Sequence, residues 1–138
     1  DVDIDKGEHG PHVPSFELFS RLMAHPQYKQ YLFGDISAVV LRNRSTDTLR
    51  AIIEHQDWHG RLLNGSDYPL VGVLPLFSLQ KLARAGLLDE SLIPLLEEIQ
   101  QYNPLLFDFI LKRQLRSGAQ KLSLNTFHTR VFFLQRNT

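Results

Sequence analysis

The stretch Leu62-Leu63-Asn64-Gly65-Ser66-Asp67-Tyr68-Pro69 runs from apolar residues into a glycine, a carboxylate and a proline. It predicts a short strand at 61–64, after which Pro69 holds Tyr68 extended. In folds that alternate strands with helices, the carboxyl ends of parallel strands carry the functional groups. Asp67 therefore has two interpretations. It binds a cation or takes a proton from a metal-bound water, or it closes an Asx turn on its own backbone.

An earlier strand is predicted at 31–40 (YLFGDISAVV), which is rich in β-branched and aromatic residues. Asp35 and Ser37 lie toward its end, and Arg42 and Arg44 follow in a polar loop. Side chains at such positions contact substrates in barrel enzymes, and arginine suits a carboxylate. The alternative is a polar pair in the interior followed by a solvated loop.

Helices are predicted around both strands from capping residues and helical spacing. The first is capped by Ser15 and ends at Pro26, and the second is capped by Ser45 or Thr46. Three more follow, at about 77–85, after Asp89, and after the pair Asn103-Pro104 with its end near Gly118. The apolar stripes of the helices after the first strand are Leu49, Ile52 and Ile53; Leu92, Leu95, Leu96 and Ile99; and Leu106, Phe109 and Ile110. The tail at 121–138, with Phe127, Phe132 and Phe133, is expected to dock on the body.

Strands separated by helical crossovers pair in parallel, with helices covering the sheet. Two short strands leave the faces and edges of such a sheet largely unsatisfied. The pattern therefore predicts an α/β fold that is the C-terminal portion of a larger sheet or barrel, and the chain is expected to be a piece of a longer protein.

Composition excludes several classes. The 138 residues hold 15 Lys+Arg and 15 Asp+Glu, and this balance argues against a nucleic-acid partner. No cysteine is present, so disulfide scaffolds and thiol catalysis are excluded. The longest apolar stretch, 68–79, is interrupted and is shorter than the roughly 20 residues of a membrane span. No signal peptide is visible, so a cytoplasmic location is expected.

Two apparent metal motifs are rejected. Asp1, Asp3 and Asp5 resemble the start of a calcium loop, but Gly7 comes one place late and no helix precedes them. His55 and His59 have helical zinc spacing, but the residue after His55 is glutamine and not the catalytic glutamate. A structural role is therefore favoured for both histidines.

Three segments resemble one family. LLNGSDYPL at 62–70 resembles the end of the eighth strand in the metal-dependent amidohydrolase superfamily, in the amidohydrolase-related branch that also contains aminocarboxymuconate-semialdehyde decarboxylase. LFGDISA at 32–38 resembles the seventh strand, and NPLLFDFILKR at 103–113 resembles a late helix. The similarity covers most of 15–133. It implies the C-terminal portion of a (β/α)8 TIM barrel, about units seven and eight plus C-terminal helices.

This resemblance divides the single partial barrel domain, 1–138, into a loop at 1–14, a unit-seven region at 15–60, and the eighth strand, terminal helices and tail at 61–138. It implies a metal-dependent hydrolase acting on a small molecule. Asp67 corresponds to the aspartate that ligates the metal, a divalent ion of the zinc type, and shuttles a proton from the nucleophilic water. Ser37, Arg42 and His12 are the expected substrate-binding residues. His12, with His9, would follow strand six at the barrel mouth, although such loop histidines are commonly just solvated.

The family's other ligands, a His-x-His on strand one and histidines on strands five and six, have no match here. Because a catalytic zinc takes about three protein ligands, the isolated chain is expected to be inactive. Three alternatives stay open. The parent is a decarboxylase of the same superfamily, or a catalytically inactive homologue, or the chain is a non-catalytic half-barrel that forms a homo-oligomer or pairs with a complementing chain.

Overall fold

The structure, a computed structural model, describes residues 1–135 and shows a mixed, mostly helical chain with few strands. Two compact units are present, Asp1–Phe33 and the chain from Gly34 onward. The helices are α1 (Ser15–Ala24), α2 (Thr46–Glu54), α3 (Leu79–Arg84), α4 (Ile93–Tyr102), α5 (Pro104–Gln114) and α6 (Thr129–Gln135). The strands are β1 (Gly34–Asp35), β2 (Leu62–Leu63), β3 (Arg116–Ser117) and β4 (Gln120–Lys121). Within the described residues, no helix is long and apolar enough to cross a bilayer.

The strands β1 and β2 pair in parallel, with Asp35 opposite Leu63, as the sequence predicts. The prediction of a strand over 31–40 is wrong in length, because β1 has two residues. The carboxylate of Asp35 accepts the backbone N–H of Ser37 at 2.7 Å, and this local bond turns the chain out of the extended conformation. The strand predicted at 61–64 is likewise reduced to Leu62–Leu63.

Helix starts depend mainly on local capping, and some of the predicted caps are confirmed. Ser45 and Asn103 cap α2 and α5, and each accepts a backbone N–H of the first turn. Asp89 caps only the short 3-10 turn Glu90–Leu92, and α4 begins after Leu92, which forms no side-chain cap. Ser15 does not act as a cap. Pro14 takes the capping position without a side-chain cap, so Ser15 is already the first helical residue.

Helix α5 buries the opposite side from the one predicted. The expected stripe is largely exposed, since Leu106 and Phe109 are 43% and 44% accessible. The buried side chains are Phe107, Asp108, Leu111 and Lys112. Both sets repeat at three- and four-residue spacing, so periodicity cannot choose between them. The choice is made by packing against α4 and the turn at Leu70–Gly72.

Replacing Phe107 by alanine tests this orientation. Phe107 is fully buried and meets the ring of Phe77 edge-on, with centroids 5.3 Å apart. We expect Phe107→Ala to lower the free energy of unfolding by about 3–5 kcal/mol, measured by urea denaturation. Phe109→Ala is the matched control on the exposed face and should cost clearly less. Equal losses would show that the assigned face is wrong.

Helix α5 ends at Gln114 and not near Gly118 as predicted. Gly118 instead lies in the turn of a hairpin between β3 and β4, where its φ of 57° favours glycine. The predicted docking of the tail is confirmed as far as Phe127, whose ring packs edge-on against Phe109 at 5.4 Å. Phe133, farther along, is 61% exposed.

Candidate functional site

The ends of β1 and β2 meet at one edge of the parallel pair. The backbone N–H of Ile36 donates to the carbonyl of Leu63 at 3.0 Å, which carries the pairing just past β1. The residues that follow each strand therefore start from the same edge. Asp35 and Ser37 come from the first strand, and the segment 64–67 comes from the second.

At this edge Asp35 and Ser37 form a closed turn. The same oxygen of Asp35, Oδ1, accepts the backbone N–H and the hydroxyl of Ser37. The Asx turn considered for Asp67 is thus found at Asp35. The Ser37 hydroxyl donates its hydrogen bond to Asp35. Its oxygen can therefore still accept a hydrogen bond from another group.

Gly65 lies directly against this turn. A Cβ atom added to Gly65 would lie 2.5 Å from Ser37 Oγ and 3.1 Å from Asp35 Oδ1. Real Cβ contacts do not occur at the first distance, so the close approach of the two loops requires glycine.

Substitution of Gly65 by alanine is expected to push the two loops apart. We expect Gly65→Ala to destabilise the protein by about 1–3 kcal/mol, because the extra methyl group overpacks the site. Gly60→Ala is the matched control, since a Cβ there would meet no atom within 4 Å. Urea unfolding of both variants measures the difference. A Gly65→Ala protein as stable as the Gly60→Ala protein would contradict the close approach.

Asp67 follows Gly65 in an unusual backbone conformation. Its φ is 54°, in the left-handed region, and its side chain is exposed. The next peptide bond, Tyr68–Pro69, is cis, and the Leu70 N–H donates to the Asp67 carbonyl at 2.9 Å. Throughout 1–135 no donor forms a hydrogen bond with the Asp67 carboxylate. The carboxylate is therefore available to an external partner.

A buried ion pair lies behind this segment. The ammonium of Lys112 donates to the Gly65 carbonyl at 2.7 Å and to Asp108 Oδ2 at 2.9 Å. Both side chains are at most 1% exposed. Burial lowers the pKa of Lys112, against the attraction of Asp108, Asp35 and Asp67, and burial raises the pKa of Asp108.

Sequence reasoning missed this pair. An acid and a base four residues apart on a helix, as Asp108 and Lys112 are, usually form an exposed pair. The sequence offers one further indication of burial. Apolar residues lie on both sides of α5, so no side of the helix is clearly the polar, solvent-facing one.

Arg42 lies in the exposed loop after β1, as predicted. The loop is fixed through its backbone. The Arg42 N–H donates to the Leu76 carbonyl at 2.7 Å, and the Lys81 ammonium donates to the carbonyls of Arg42 and Arg44 at 2.9 and 2.7 Å. In the part of the chain that the structure describes, no hydrogen bond joins the Arg42 side chain to Ser37 or Asp67.

His12 belongs to the first compact unit, whereas Ser37, Arg42 and Asp67 belong to the second. It is exposed and forms an isolated antiparallel bridge with Val2. In the same unit Asp3 is buried and accepts a hydrogen bond from Arg21 at 2.6 Å, which lowers the pKa of Asp3. That partner agrees with the rejection of a calcium loop.

The structural interpretation of His55 and His59 is confirmed. His59 is buried, its Nδ1 accepts the Ser123 N–H at 3.1 Å, and its Nε2 therefore donates to the Ile52 carbonyl at 2.9 Å. His55 stacks on Trp58 with centroids 3.9 Å apart. Both ring nitrogens of His59 are occupied, so it has none left for a metal.

The donor set at the strand ends does not make a complete metal site. Over residues 1–135, no group of three or more histidine, aspartate or glutamate side chains is arranged to hold a metal ion. Asp108 is bound to Lys112, and the exposed carboxylates at the strand ends are Asp67 and Asp35, whose Oδ1 is occupied by Ser37. No protein-family model, curated protein or solved structure matches this chain.

Proposed function

We propose that this chain is the C-terminal portion of a (β/α)8 barrel of the amidohydrolase type, a metal-dependent hydrolase of small molecules. In this proposal β1 and β2 are the seventh and eighth strands, and Asp67 binds the metal ion or shuttles a proton. The observation that carries it is the position of Asp67. Within the described residues this exposed carboxylate accepts no hydrogen bond, and it follows a parallel strand at the edge where the neighbouring strand also ends.

Two features of the fold support a barrel portion. The parallel sheet has two strands in the described part of the chain, so the outer edge of each strand has no strand beside it. Helices α4 and α5 expose apolar side chains, namely Leu95, Tyr102, Leu105, Leu106 and Phe109. Open strand edges and bare apolar helix faces are expected where further strands and helices would pack.

The residues present do not suffice for catalysis. A catalytic zinc takes about three protein ligands, and the strand ends of the described chain offer two exposed carboxylates, Asp35 and Asp67, of which Asp35 already accepts two hydrogen bonds from Ser37. The proposal therefore needs ligands from other strands, and the isolated chain should be inactive. In this proposal the chain contributes a proton acceptor, Asp67, two residues after the close contact of Gly65 with Asp35 and Ser37.

The test is the substitution Asp67→Asn in the complete gene product, compared with Asp57→Asn at an exposed position. A large loss of turnover confined to the first variant supports the proposal.

A further inference from the structure

The buried pair on α5 is a poor device for stability. Asp108 uses one oxygen for Lys112, and its other oxygen, Oδ1, is buried with no hydrogen-bond partner in the described part of the chain. The free-energy cost of removing two charges from water is compensated only when all their polar atoms form hydrogen bonds. Meanwhile the same helix leaves Leu106 and Phe109 exposed. The buried pair is therefore better explained by a contact that Lys112 makes with another part of the chain.

The group that Lys112 holds is the backbone just before Asp67. Its ammonium reaches the Gly65 carbonyl across 47 positions of sequence, at 2.7 Å. Gly65 also lies directly against Ser37 and Asp35. Gly65 is thus in contact with both the Lys112 ammonium and the closed turn, two residues before the exposed carboxylate.

We propose that Lys112 and Asp108 are positioning residues for Asp67. Lys112 fixes the Gly65 carbonyl, and Asp108 fixes the direction of the Lys112 ammonium, so that the chain leaves β2 along one path and Asp67 stands at the strand ends. The inference rests on the proposed function for the role of Asp67. The geometric part, that the pair orders residues 65–67, stands independently.

The test uses the double variant Asp108→Leu with Lys112→Met in the 138-residue chain. Leucine and methionine keep the volume and remove both charges, so the fold is expected to survive. We expect the backbone order parameters of Ser66 and Asp67, from ¹⁵N relaxation, to fall from about 0.85 to below about 0.6. A pair with a purely structural role would leave these values unchanged while the fold persists, and that result overturns the proposal.

Lys81→Met is the matched control. It removes a lysine that holds two carbonyls in the other strand-end loop, at 42–44. We expect it to loosen that loop and leave the order parameters of Ser66 and Asp67 unchanged. Equal loosening of Ser66 and Asp67 in both variants would mean that no specific link to Lys112 exists.

A measurement on the unmodified chain keeps the proposal testable if the double variant does not fold. A scalar coupling across the hydrogen bond between Lys112 Nζ and the Gly65 carbonyl carbon is expected in the NMR spectrum, and its absence overturns the proposal. Turnover separates this inference from the proposed function. If Asp67→Asn leaves turnover intact while the order parameters fall as expected, the catalytic role fails and the positioning stands. If Asp67→Asn abolishes turnover while the order parameters of the double variant are unchanged, the positioning fails.

Discussion

Asp67→Asn in the complete gene product is expected to lower kcat by about 10²- to 10⁴-fold, the range that a positioned proton-transfer group contributes. An amide cannot accept the proton that a carboxylate takes. Asparagine is the suitable replacement because, like aspartate, it tolerates the left-handed φ of 54° at this position. The initial rates are measured on a panel of small esters and amides with Zn²⁺ supplied.

The control Asp57→Asn removes a carboxylate whose side chain is 74% exposed, and it should keep turnover near the wild-type level. Thermal melts of both variants should match the wild type. Near-normal kcat in Asp67→Asn would refute the catalytic assignment. A wild-type protein that hydrolyses none of the panel would count against a hydrolase.

Lys112→Met is expected to lower the free energy of unfolding by about 3–5 kcal/mol, the cost of leaving a buried carboxylate without its partner. Asp108 would then keep two buried oxygens with no charge nearby to balance them. The carboxyl could escape this cost only by taking up a proton, so the loss should be smaller in acid than at neutral pH. Urea unfolding at both pH values measures it.

The double variant Asp108→Leu with Lys112→Met is the internal control for this prediction. Replacing a buried ion pair by apolar residues of similar volume is often neutral or even stabilising by about 1–4 kcal/mol. We therefore expect the double variant to be more stable than the single one. Additive losses, with the double variant less stable than Lys112→Met, would show that the pair itself stabilises the fold.

Features that depend on neighbouring residues could be predicted from the sequence. Ser45 and Asn103 cap their helices through bonds to the next two or three residues, and such bonds are encoded in a few adjacent positions. The pair of parallel strands was also predictable, because each has an apolar run and a helix lies between them. The position of Asp67 after the second strand was predictable as well.

The length of β1 was not predictable in the same way. Residues 31–40 have strand composition, but a strand extends only as far as a partner strand does. The sequence suggests an Asx turn at Asp67, but the turn forms at Asp35. Both aspartates occur where a turn is plausible, so local sequence does not distinguish them. Amino-acid composition indicates that a segment can form a strand, and pairing with a neighbouring strand sets how long that strand is.

Local sequence was enough to predict the caps of α2 and α5, the two parallel strands and a carboxylate after the second strand. The buried face of α5 and the ion pair behind Asp67 depend instead on packing between segments that are distant in sequence. Apolar residues occur on both sides of that helix, so local spacing is the same for either orientation. A bond such as that from Lys112 to Gly65 joins groups 47 positions apart. It exists only once packing has brought a carbonyl to the buried ammonium, and no local pattern contains that information.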